Sequence, residues 1–168
     1  MPKEIVIQNV KTADYTTVDM RKACHYEGEL KEDYVHDMCR VSSPSTGHQL
    51  YVTLYSLPPR TSSYPYHYHA AAEEVFYIIS GSGILETPDG ETAVSEGDVL
   101  VAPRGERGAH KLRNPSDCEP LVYLDVDNSF PAELTFHPHT GKAVMTDYEG
   151  KFQKAYRINS DVNYLEGE

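Results

Sequence analysis

The sequence predicts an all-β protein, a sandwich or barrel of short strands, and three observations carry that prediction. Between residues 49 and 127, short runs of apolar, β-branched and aromatic residues recur along the chain. Each run is closed by Gly, Pro, Asp or Ser in combinations that favour turns. None of this stretch shows the 3.6-residue apolar period of a helix.

Taken in order, Gln49 to Leu57 alternates Leu50, Val52 and Leu54 against Tyr51, Thr53 and Tyr55, the period of two that a strand requires. Val75 to Ile79 is β-branched and aromatic throughout, as in a strand covered on both faces. Gly81-Ser82-Gly83 breaks it, and Ile84 to Glu86 then runs into Pro88-Asp89-Gly90, a tight-hairpin sequence. Ser95-Glu96-Gly97-Asp98 is a further turn, followed by the strand Val99-Leu100-Val101-Ala102. Pro103 and Gly105 punctuate the next loop, and Leu121 to Val126 has strong strand character. The flanks are more polar. They offer a strand from Glu4 to Val10, a short helix from Tyr26 to Asp37, and strand-like pieces at Leu134-Thr135-Phe136 and Phe152 to Ile158. The expected organisation is a barrel over residues 46–128, with an N-terminal extension (1–45) and a C-terminal extension (129–168) wrapped on it. At 168 residues one domain is the natural count, large enough to fold without a disulfide or metal.

Charge and composition exclude several classes of partner. The net charge of −11, with no Lys/Arg cluster longer than two, repels phosphate backbones and anionic lipid, so neither nucleic acid nor a membrane is expected as a partner. No apolar stretch approaches the roughly 20 residues that span a bilayer. Met1-Pro2-Lys3-Glu4-Ile5 lacks the apolar run of a signal peptide. Cys24, Cys39 and Cys118 are scattered, without a CxxC pair, which fits reduced thiols and a cytoplasmic location.

The chemistry concentrates around His67-Tyr68-His69. Residues two apart on a strand project to one face, so both imidazoles can enter one barrel interior. Glu74 follows at the start of the next strand, and His110 lies after the Pro-Gly loop. Three His and one carboxylate form a mixed nitrogen and oxygen set suited to Fe, Mn, Ni, Cu or Zn. Glu73 is the alternative to Glu74, but the interval to Gly81 favours Glu74. His137-Pro138-His139 repeats the spacing, yet Pro138 cannot donate to a sheet ladder and no Glu follows, so it reads as exposed loop. Cys24, His25, His36 and Cys39 match no zinc spacing.

The full pattern is His-x-His, four residues, Glu74, six residues, Gly81, then Gly97, five residues, Pro103-x-Gly105, His110 and Asn114. It resembles the two-part signature of the cupin superfamily over roughly residues 48–127. The resemblance implies a double-stranded β-helix, and places the family's metal ligands on His67, His69, Glu74 and His110. Thr61 stands where the first half usually begins with Gly, and the interval from Gly105 to His110 is two residues longer than the common pattern. That loop and the ending Tyr164-Leu165-Glu166-Gly167-Glu168 are similar to a group of uncharacterised single-domain cupins.

The expected cofactor is therefore one divalent transition metal ion (Fe, Mn, Ni, Zn or Cu), with a small-molecule ligand in the barrel. The expected function is enzyme chemistry on a small oxygen-rich molecule, of dioxygenase, isomerase or decarboxylase type. The alternative is a binding or sensing module that uses the same pocket without turnover, because fold alone does not separate the two. Tyr66 and Tyr68 should point outward, opposite His67 and His69, and offer an aromatic surface to a second subunit of a homodimer.

Overall fold

The computed structural model describes residues 5–147, 153–160, 162–163 and 165–167. Glu4, Phe152, Tyr164 and Glu168, which figure in the expectations above, lie outside these. The strands in chain order are β1 (Thr16–Asp19), β2 (Val35–Ser42), β3 (Leu50–Leu57), β4 (Tyr68–His69), β5 (Glu74–Ser80), β6 (Ser82–Thr87), β7 (Gly90–Ser95), β8 (Val99–Ala102), β9 (Lys111–Arg113), β10 (Leu121–Asn128), β11 (Ala132–His137), β12 (Lys142–Asp147) and β13 (Gln153–Arg157). They form a six-stranded sheet in the order β1-β2-β3-β10-β5-β8, a four-stranded sheet β13-β12-β11-β4 and a three-stranded sheet β7-β6-β9. The protein is mostly β with the arrangement of a double-stranded β-helix, and among the described residues its sheets do not close into a continuous hydrogen-bonded barrel.

Strand register decides what faces inward. On β10, Leu121, Tyr123, Asp125 and Asp127 share one face. Opposite them on β3 stand Leu57, Tyr55, Thr53 and Tyr51. On β5, Ile78, Phe76 and Glu74 oppose Tyr123, Asp125 and Asp127. The inward face thus runs from a dry end at Leu57, Leu121 and Ile78, through stacked Tyr55 and Tyr123, to a polar end at Asp125, Asp127 and Glu74. Leu112 from β9 and Leu100 from β8 complete the core. The buried amide of Asn114 ties this end together by donating to Leu57 O (2.9 Å) and Glu119 O (2.8 Å). Thr61 closes its own turn, its hydroxyl donating to Pro58 O at 2.9 Å.

Two turns need glycine. Gly81 has φ +84° between β5 and β6, and a Cβ there would meet Pro120 O. A Cβ on Gly108 would collide with the Pro103 carbonyl in the loop leading to His110.

The flanks differ from expectation. The helix expected from Tyr26 to Asp37 does not form; α1 is a single turn, Met20–Ala23, and Val35 already opens β2. Gly28 interrupts the segment from Tyr26 to Asp37, and the last three residues of that segment belong to β2, which pairs with both β1 and β3. Residues 5–9 are not strand, and Val10–Thr12 is a 3-10 turn. Tyr66 and Tyr68 are not left open to a partner: Tyr66 stacks on His139 (4.4 Å between ring centroids) and Tyr68 on Phe136 (5.0 Å). The cover comes from the C-terminal extension, because β11 pairs with β4. His137 is correspondingly half-buried at the end of β11 rather than in exposed loop. Among the described residues, no helix is long and apolar enough to cross a membrane.

Candidate metal centre

Three of the four residues expected as ligands, His67, His69 and Glu74, bring ligating atoms together, and His110 adjoins them through Glu74. His67 and His110 form an isolated antiparallel bridge, with His67 N–H donating to His110 O (3.0 Å) and His110 N–H to His67 O (2.8 Å). Such a pair carries its side chains on one face, and the two ring centroids lie 4.7 Å apart. A 3-10 turn, Glu106–Gly108, absorbs residues of the longer loop and delivers His110 opposite His67. His69 comes from β4, its ring 5.2 Å from that of His67. Glu74 opens β5, with Oε2 at 3.2 Å from His110 Nε2 and 3.5 Å from His69 Nε2. Ligating atoms of His67, His69 and Glu74 all lie within 4.8 Å of one another.

The backbone orients the imidazoles. His67 Nδ1 is 2.9 Å from Pro65 O and His110 Nδ1 is 2.8 Å from Gly108 O. A carbonyl only accepts, so each ring carries its proton on Nδ1 and turns an Nε2 lone pair inward. At His110 that lone pair faces Glu74 Oε2, which is buried and has no hydrogen-bond partner. Two facing lone pairs in a buried site are relieved by a shared cation, and a nitrogen and carboxylate donor set of this kind fits a divalent transition ion.

The electrostatics agree. Burial, reinforced by His110, lowers the His67 pKa to about 3, so its ring is neutral and able to ligate. Burial also pushes His69 down, but the Glu74 carboxylate more than offsets this and raises it. Burial works against ionised Glu74, yet the imidazoles of His69, His110 and His67 around it hold its carboxyl below the ordinary carboxylate range.

Four further residues border the site, and the sequence analysis did not single them out. Asp125 and Asp127 stand beside Glu74 on β10, and ligating oxygens of the three lie within 4.8 Å of one another. Burial and the Glu74 charge push Asp125 well up and Asp127 to about 7. The signal was the strand parity of Leu121, Tyr123, Asp125 and Asp127, which puts two acids on the core-facing side. Glu133 and Thr135 arrive from β11: Glu133 accepts from the Ala71 and Ala72 N–H groups (3.1 and 3.2 Å), and Thr135 Oγ1 is 3.5 Å from His69 Nδ1. The scattered Cys24, His25, His36 and Cys39 form no cluster of potential ligands among the described residues. His36 is instead a core residue between Tyr55 and Tyr64.

A cavity of about 370 Å³ adjoins the centre between β8 and the three-stranded sheet. Phe76, Leu85, Val94, Leu100, Arg107 and His110 contribute to its wall.

Residues 53–127 match the family described as Cupin domain. Among solved structures, a sugar phosphate isomerase of the cupin superfamily from Silicibacter pomeroyi superposes with a TM-score of 0.66 at 25% identity, covering 77% of this chain and 81% of its own. A predicted oxalate decarboxylase from Thermotoga maritima gives 0.59 at 20% identity, over 76% of this chain and 100% of its own. The polyketide cyclase RemF from Streptomyces resistomycificus gives 0.55 at 20%, over 74% and 80%. None of the curated proteins compared matches the chain. The motif, the sheet arrangement and these matches agree: residues 53–127 carry a cupin domain, on a chain with the cupin double-stranded β-helix fold.

Proposed function

We propose that this protein is a metal-dependent enzyme holding one divalent transition metal ion on His67, His69, Glu74 and His110, and acting on a small oxygen-rich molecule. The observation that carries this reading is the buried Glu74 Oε2 facing the inward Nε2 of His110 without a hydrogen bond. The bound ion would supply Lewis-acid polarisation or, if Fe, Mn or Cu, redox chemistry. The chain itself supplies fixed tautomers through Pro65 O and Gly108 O, and leaves His69 the most exposed of the four side chains, at 18%. The sugar phosphate isomerase from Silicibacter pomeroyi, named for an oxygen-rich substrate class, supports the substrate reading.

The alternative is binding without turnover, and the apolar part of the cavity wall favours it. One experiment separates the two. The purified protein is analysed for metal, then screened with hydroxy acids, diols and sugar phosphates for product mass and oxygen uptake. About one ion per chain with turnover of some such compound is expected, and the His67→Ala, His69→Ala double variant should lose the ion. Full metal content in that variant would sink the ligand assignment; tight uptake of a compound recovered unchanged under every metal would establish the binding module.

The same proposal includes a homodimer, formed by the outer face of the six-stranded sheet rather than by Tyr66 and Tyr68. Val75 pairs across strands with Val101 and Tyr77 with Val99, and all four are exposed. Val126 and Leu124 of β10 continue this apolar surface. Light scattering should show a dimer that Val99→Glu with Val101→Glu dissociates.

A further inference from the structure

The geometry points to a second cation site at the centre, an oxygen-only site for a hard divalent cation made by Glu74, Asp125 and Asp127. Asp127 lies directly across from Glu74, and Asp125 is the next inward residue along β10. Ligating oxygens of all three are within 4.8 Å of one another. Acidic clusters are common on surfaces, where water solvates them. This one is inside the sheets: Asp125 and Glu74 are each 7% exposed.

The independent observation is hydrogen bonding. Glu74 Oε2, Asp125 Oδ1 and Asp127 Oδ1 are all buried atoms with no hydrogen-bond partner. A buried carboxyl is costly to ionise unless a cation meets it, and here Asp125 and Asp127 each keep an unpaired oxygen beside Glu74. The neighbouring cation, Arg40, reaches Asp125 and Asp127 by its charge but gives their unpaired oxygens no hydrogen bond. Arg40 NH1 donates to Thr53 Oγ1 (2.6 Å), and its guanidinium lies 4.9 Å over the Tyr51 ring. Carboxylates without nitrogen or sulfur select Mg²⁺, Ca²⁺ or Mn²⁺ over softer ions. The imidazole set on the other side of Glu74 prefers Zn, Cu, Ni or Fe. Two adjacent sites of different chemistry would then share one carboxylate, the arrangement of a two-metal centre. The inference rests on the proposed histidine site only for how Glu74 is shared.

The test counts ions by site. Protein stripped with a chelator is given one equivalent of Zn²⁺ and then titrated with Mn²⁺, reading free Mn²⁺ by electron paramagnetic resonance and total metal by elemental analysis. A second, Mn²⁺ equivalent is expected beside the zinc. Asp125→Asn and Asp127→Asn should each weaken Mn²⁺ at least tenfold while zinc stays at one per chain. No Mn²⁺ uptake by the zinc-loaded wild type would overturn the proposal, without any variant having to fold. So would Mn²⁺ uptake that both Asn variants retain in full. Failure of the histidine site looks different: zinc is not held, yet Mn²⁺ binds in an Asp125-dependent way, which supports the oxygen site by itself.

Discussion

At one end of the inward face of the six-stranded sheet, Leu57, Leu121 and Ile78 are sealed from solvent. At the other, Glu74 and Asp125 are sealed almost as well, and each keeps an oxygen without a hydrogen bond. The same three strands build both ends, and only the residue identities at inward positions change. Burying the aliphatic end gains roughly 1.5–3 kcal/mol per side chain. Burying unpaired carboxylates costs free energy unless a cation meets them. The lesson is a division of labour along the strand axis: the dry end holds the sheets together, and its stability allows a polar end suited to binding.

The comparison breaks most visibly by truncating the dry end. Ile78→Ala or Leu57→Ala, each at a site of zero exposure, should cost about 2–5 kcal/mol in urea denaturation. Metal content per folded chain should stay unchanged. If the ion count fell with stability, the two ends would be one cooperative unit and the division of labour would fail.

A second variant strikes the polar end through its backbone. Gly108 supplies the carbonyl that fixes the His110 tautomer, and a Cβ there would collide with the Pro103 carbonyl. Gly108→Ala should shift that loop and weaken metal binding by about 10- to 100-fold, as loss of an outer-shell partner does elsewhere. A competition titration with a chromogenic chelator reads this directly. Unchanged affinity would mean that the loop does not set the orientation of His110.

The two ends were not equally legible in the sequence. Alternation predicted β3, and runs of β-branched and aromatic residues predicted β5, β8 and β10; β5 was expected to be covered on both faces, but Val75 and Tyr77 lie exposed on its outer side. His-x-His predicted a shared face, and the structure brings ligating atoms of His67, His69 and Glu74 within 4.8 Å of one another, with His110 beside Glu74. Asp125 and Asp127 were missed although their parity was visible, since the pairing of Asp127 with Glu74 joins residues far apart in the chain. The cover over Tyr66 and Tyr68 was missed for the same reason: β11 reaches β4 across more than sixty residues, as the Phe136–Tyr68 pairing shows. The helix expected from Tyr26 to Asp37 does not form because its end, Val35 to Asp37, is taken up in β2, whose pairing with β1 and β3 joins residues distant in the chain.

A smaller effect sharpens the contrast between the cupin strands and the C-terminal extension. Glu133 clamps the Ala71 and Ala72 amides and sits 4.0 Å from His69 Nδ1. Glu133→Gln keeps one acceptor and removes the charge beside His69. Metal affinity should fall by about tenfold or less, with thermal stability nearly unchanged. Equal losses in affinity and stability would make the extension a structural brace only.

The smallest expected effect lies in the dry half, at His36, the one titratable imidazole packed among the core tyrosines. His36 Nδ1 donates to Ser63 O (3.2 Å), so Nε2 accepts from Tyr64 OH (3.3 Å), whose oxygen in turn lies 3.2 Å from Tyr55 OH. This chain of hydrogen bonds requires a neutral ring, and burial lowers the His36 pKa below its ordinary 6.5. The folded state therefore binds this proton less readily than the unfolded chain. Its contribution to stability is complete above pH 6.5 and is lost as the pH falls from there toward the lower folded value. His36→Gln keeps a donor and an acceptor but does not titrate. Its packing cost is the same at every pH, and the acid titration of other groups cancels when the two proteins are compared. Melting temperatures measured from pH 7.5 down to 5 should therefore fall more steeply for the wild type than for the variant. Parallel curves would show that the core histidine takes up its proton as easily folded as unfolded, and that the dry end is wetter than its packing implies.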